Sequence, residues 1–102
     1  MTPEKKTKNA VVKILKEHPE LYYFYPVAGG YGASGVPDIV GCYLGRFFAI
    51  ECKAGKGKTT ALQEKNIAQI RSAEGRVMVV NEDNLNDVRV MLESIELSTG
   101  DY

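Results

Sequence analysis

The chain has no surplus of charge, because 13 basic residues meet 13 acidic ones. A generic polyanion binder shows a basic excess, so bulk charge disfavours that class. Cysteine is scarce. Cys42 and Cys52 have neither metal-binding nor redox spacing. Both lie in apolar runs, where cysteine acts as a small hydrophobe. The single histidine, His18, precedes Pro19. It reads as a helix-end surface group rather than a catalyst, since the residue before proline avoids the α region. No apolar run is long enough to cross a bilayer, and the basic N-terminus lacks the apolar segment of a signal peptide. The expectation is a cytoplasmic protein with no membrane partner.

At 102 residues, 44% hydrophobic and 25% charged, the chain is expected to fold as one globular domain over residues 1–102. Its charge is uneven. Lys5, Lys6, Lys8, Lys13 and Lys16 crowd the N-terminal segment, and Lys53, Lys56 and Lys58 crowd the middle. A basic face is permitted by this pattern, although such lysines are ordinarily a solvated surface.

Apolar periodicity predicts a helix over residues 3–18, with Thr2 as N-cap and Pro3 in the first turn. The aromatic run Leu21–Val27 predicts a strand. Residues 28–36 are rich in glycine and read as a loop. Pro37–Leu44 predicts a second strand, Gly45-Arg46 a hairpin turn, and Phe47–Lys53 a third strand. That third run is apolar on both faces until Glu51, which suggests a central, covered strand. Residues 54–59 form a mobile basic loop suited to phosphate contacts. Gly57-Lys58-Thr59 matches the tail of a P-loop, but Cys52 stands where the motif requires its first glycine. Nucleotide binding is rejected. A helix from Thr60 to about Glu74, ended by Gly75, leads to the buried strand Arg76–Val80. This order suits a parallel crossover. A last helix carries Leu85, Val88, Met91, Leu92 and Ile95, and Ser98–Tyr102 reads as a frayed tail.

The chemistry concentrates at Asp38 and at Glu51-Cys52-Lys53. Two residues apart on a strand, Glu51 and Lys53 share a face at a spacing of roughly 6.6 Å. Buried charges there need a partner or an ion. Taken alone, a surface Glu–Lys pair at a strand end is the better explanation. With Asp38 on a neighbouring strand, the two carboxylates can meet at one Mg²⁺ or Mn²⁺. Lys53 can then position water or balance phosphate charge. Gln63 has two readings, as the N3 member of a capping box begun by Thr60 or as a side chain projecting toward the acids. Local pattern favours the first.

The joint order of Gly29–Gly35, Gly35-Val36-Pro37-Asp38, the Gly45 turn, Ile50-Glu51-Cys52-Lys53 and Gln63 resembles the PD-(D/E)xK nuclease superfamily. Within it the chain is similar to a stand-alone, virus-type VRR-NUC domain, from about Glu4 to Val80. The resemblance implies an α/β, restriction-endonuclease-like αβββαβ core with a central mixed sheet flanked by helices, plus a C-terminal helix. It implies metal ligation by Asp38, Glu51 and the backbone carbonyl of Cys52, with catalytic roles for Asp38, Glu51, Lys53 and Gln63. On the first helix Glu4 and Glu17 are candidate further ligands, although a solvated carboxylate is the commoner role for each. Similar families place one more acid there, and Glu4 is the position the resemblance favours. The implied activity is a Mg²⁺- or Mn²⁺-dependent DNA endonuclease acting on branched DNA, like a Holliday-junction resolvase, in replication or repair. A homodimer is implied too, as is a viral or bacterial protein acting in the host cytosol. The aromatic strand and the apolar last helix are the candidate dimer contacts. Two alternatives remain: a flap or restriction-like nuclease, and a non-catalytic DNA-binding module on the same fold.

Overall fold

A computed structural model describes residues 1–27 and 35–99. Most of the glycine-rich loop, from residue 28 to residue 34, lies outside the described residues, as do residues 100–102.

The first helix, α1 (Pro3–Leu15), opens as the sequence predicts. The Lys5 amide donates to Thr2 Oγ1 at 3.1 Å, and Pro3 needs no donor at the first position. The helix stops three residues before His18. There the chain tightens, with Glu17 and His18 amides donating to the Ile14 and Leu15 carbonyls. Pro19 bars His18 from continuing the helix.

Strand β1 (Leu21–Phe24) is shorter than the predicted run to Val27. Pro26, without an amide hydrogen, cannot extend a ladder. Strands β2 (Ile39–Tyr43) and β3 (Arg46–Cys52) form a hairpin. Its turn is Leu44-Gly45, one residue earlier than predicted, because Tyr43 pairs with Arg46. Both turn residues have positive φ, 50° and 82°. That is the twist a two-residue hairpin demands, and Gly45 adopts it freely where Leu44 does so at a cost.

Helix α2 (Ala61–Ser72) follows, then strand β4 (Arg76–Val80) and helix α3 (Asn86–Thr99). The end of α2 departs from expectation. Glu74, not Gly75, takes the left-handed conformation, at φ 66°. Gly75 donates to the Ile70 carbonyl and Glu74 to that of Arg71, the paired bonds of a Schellman cap. Gly75 is required for space instead: a Cβ there would lie 2.8 Å from Phe47 and 2.9 Å from Ile70. Ser98 is helical rather than frayed, and its hydroxyl donates to the Ile95 carbonyl.

The four strands form one mixed sheet in the order β1-β2-β3-β4. The β1–β2 and β2–β3 pairs are antiparallel, and β3–β4 is parallel, as the crossover through α2 requires. The protein is therefore α/β, with an open four-stranded sheet and three helices among the described residues.

One face of the sheet builds the core. Ile39, Phe48, Ile50, Cys52 and Val80 pack there against Val11 and Leu15 of α1 and Val88, Leu92 and Ile95 of α3. The predicted apolar stripe of α3 is thus taken up by the core, while Val90 and Leu97 on the same helix remain exposed. In β1, Tyr22 and Phe24 remain 67% and 47% exposed. No described helix is long and apolar enough to cross a membrane.

Candidate metal centre

Three elements bring carboxylates together. Glu4 stands in the first turn of α1, Asp38 immediately precedes β2, and Glu51 lies near the end of β3. The hairpin register explains two of them. Ile39 pairs with Ile50, so one step further Asp38 stands opposite Glu51, at cross-strand distance. The three residues each offer an oxygen, and these oxygens all lie within 4.8 Å of one another. Glu4 is exposed and Asp38 half-buried, while Glu51 is only 2% exposed.

Asp38 is held from the backbone. The Cys52 amide donates to its Oδ2 at 2.8 Å. Before it, Gly35 sits at φ +77° against the start of α2, where a Cβ would come within 2.5 Å of the Leu62 carbonyl carbon. The approach to Asp38 is thereby seated against the helix that bears Gln63.

Burial pushes the Glu51 carboxyl up to about 8. A hydrogen bond with Asp38 and the Asp38 charge add to this, and Glu4 adds a little more. Lys53 opposes it. Like charges this close resist full ionisation, so Glu51 retains a proton at neutral pH when nothing replaces it. A divalent cation is the natural replacement. The donor set fits Mg²⁺ or Mn²⁺, since all three side chains supply hard oxygen. The one soft atom nearby does not compete. Burial, then the charges of Asp38 and Glu51, push the Cys52 thiol up to about 12, so it stays protonated and a poor ligand.

Lys53 is half-buried, and its amide donates to the Val80 carbonyl at 2.8 Å. Among the described residues its ammonium forms no ion pair; the ion pair present there is Arg89–Glu17. Its effect on Glu51 places its charge within reach of the acids.

Gln63 follows the capping reading. Its Oε1 accepts from the Thr60 amide at 2.9 Å, and its own amide donates to Thr60 Oγ1 at 3.2 Å. No hydrogen bond joins it to the three acids among the described residues.

The basic loop is hydrogen-bonded at two points. The Gly55 amide donates to Glu82 Oε1 at 2.7 Å, and Gly57 donates to the Ala54 carbonyl. Sequence reasoning missed Glu82 in this role, and also Lys8 and Tyr25 beside the acids. The Glu4–Lys8 spacing of one helical turn was the available signal for Lys8.

Fold and site together describe an α/β protein whose hairpin and first helix present a carboxylate cluster at one end of the sheet. No family model and no curated protein matches the chain.

Proposed function

We propose that this protein is a Mg²⁺- or Mn²⁺-dependent DNA endonuclease with a restriction-endonuclease-like core of the VRR-NUC type. The supporting observation is the convergence of Glu4, Asp38 and Glu51 within 4.8 Å, with Lys53 two positions beyond Glu51. Asp38 and Glu51 hold the ion, with Glu4 and the Cys52 carbonyl as further ligands. A bound ion of this kind lowers the pKa of water and offsets charge on a phosphoryl oxygen. Lys53 orients the attacking water or meets charge developing on the phosphate. Gln63 acts by capping α2 and so fixing the helix against which Gly35 seats the Asp38 segment.

Branched DNA is the proposed substrate. One small site cuts one strand, so paired cuts in a symmetric junction need a twofold dimer. The exposed rings of Tyr22 and Phe24, whose centroids lie 6.2 Å apart, offer one apolar surface to such a dimer.

The test compares a four-way junction, a flap and a linear duplex of the same sequence. Each is incubated with Mg²⁺, Mn²⁺ or chelator, with Asp38→Asn as control. Paired symmetric nicks in the junction, absent in the variant, are expected. Cutting of flaps or duplex alone would move the enzyme to a processing role. No cutting of any substrate would leave a DNA-binding module.

A further inference from the structure

Beside the three carboxylates lies a cavity of about 390 Å³, within the size range of small-ligand sites, roughly 300–1,000 Å³. Glu4 and Asp38 form one side of it. Lys5, Lys8, Asn9 and Tyr25 contribute to the rest. We propose that this cavity is a subsite for the nucleotide adjacent to the scissile phosphate, with Lys8 binding that nucleotide's own phosphate. The proposal rests on the nuclease reading of the acids.

Lys8 is the residue that carries it. It follows Glu4 by four positions on α1, the spacing at which a glutamate and a lysine pair. Among the described residues no such ion pair forms. The ammonium sits instead 4.3 Å from the centroid of the Tyr25 ring, a cation–π contact. Tyr25 is itself braced edge-on by Tyr23, with ring centroids 5.9 Å apart.

A half-buried cation that is positioned by a ring, and not neutralised by a carboxylate, is available to an anion. A strand whose scissile phosphate meets the acids continues past them, and its next phosphate requires a cation on that path. Lys8 supplies it. Tyr25 remains 48% exposed, which leaves ring surface for the sugar or base. Lys8 and Tyr25 are therefore positioning residues for the strand.

The test uses the full chain and two probes. Fluorescence anisotropy measures binding of a short labelled single-stranded oligodeoxynucleotide, and steady-state cleavage gives KM and kcat. Lys8→Ala is expected to weaken binding and raise KM roughly tenfold, the size of one charged hydrogen bond. Its kcat should stay within about twofold. The salt dependence of binding should become shallower by about one phosphate contact. Tyr25→Leu should follow Lys8→Ala, whereas Lys8→Arg and Tyr25→Phe should stay near wild type. If Lys8 only offsets the carboxylates, Lys8→Ala will change Mn²⁺ affinity and leave KM and oligonucleotide binding alone; that result overturns the subsite. If the wild type cuts nothing, the nuclease reading fails separately. Anisotropy then judges the subsite alone, and equal binding by wild type and Lys8→Ala overturns it.

Discussion

The Cys52 amide donates to Asp38 Oδ2 across the hairpin, at 2.8 Å. One carboxylate is thus fixed by the backbone of the very strand that carries the other. Asp38 cannot turn away from Glu51 without giving up that bond.

The closeness of the two acids gives the first prediction. Asp38→Asn keeps an oxygen for the Cys52 amide and removes one charge from beside Glu51. Cleavage should be abolished, while the ion-free protein melts no lower than wild type. Calorimetric melting in chelator, beside a cleavage assay, checks both halves.

Glu51 predicts a pH dependence of stability. Its folded pKa is raised from the usual 4.5 to about 8. A raised carboxyl favours the folded state fully below the unfolded value, and that contribution is lost as pH rises through the folded value. In chelator, the melting temperature should therefore fall between pH 4.5 and about 8. Burial drives the effect, the hydrogen bond and charge of Asp38 and then Glu4 add to it, and Lys53 opposes it. Saturating Mn²⁺ should reverse the fall, because binding requires the ionised form. Glu51→Gln should flatten the profile. A wild-type curve that rises across this window would contradict the assigned environment of Glu51.

Gly35→Ala should destabilise the fold and reduce cleavage together. The left-handed backbone alone costs a non-glycine residue about 1–2 kcal/mol. The new Cβ also meets the Leu62 carbonyl carbon at 2.5 Å, so the loop must move. Because the same loop leads into Asp38, the cut should slow beyond what lost stability explains. Urea unfolding and single-turnover cleavage at a temperature where the variant is folded separate the two effects.

Gln63→Ala tests whether the capping box is its role. Thr60→Ala and Gln63→Ala should each cost about 1 kcal/mol, the usual worth of a cap. The double variant should lose less than the sum, since one pair of bonds is shared. Cleavage measured below the melting transition should survive in all three. Abolished cleavage in Gln63→Ala, with the fold intact, would return Gln63 to the reacting centre.

Much of the arrangement was legible in the sequence. Alternation and turn residues marked the hairpin, but the register that brings Asp38 opposite Glu51 depends on a turn one residue earlier than the predicted one. The order of strand, helix and strand announced the parallel β3–β4 pair. Boundaries were less legible because they are set by single backbone events. Leu44 accepts a left-handed turn that its residue type disfavours, so the turn falls one residue early. Glu74 does the same at the end of α2, while Gly75 is retained for clearance against Phe47. The sequence offered both Glu4 and Glu17 as first-helix ligands and could not choose a ligand role for either, because a helix carboxylate is ordinarily solvated, and in a first turn it is also ordinary dipole chemistry. Lys8 and Tyr25 were hidden for a different reason. Their contact joins α1 to the segment after β1, and no local pattern encodes that meeting.

Whether the three carboxylates hold a divalent ion is decided most directly by isothermal titration of the purified protein with Mn²⁺. Wild type should bind with release of a proton from the Glu51–Asp38 pair, and Asp38→Asn should lose that binding while remaining folded. Equal binding by both proteins, or no binding by the wild type with or without DNA, would contradict the metal centre and the hydrolytic chemistry built on it.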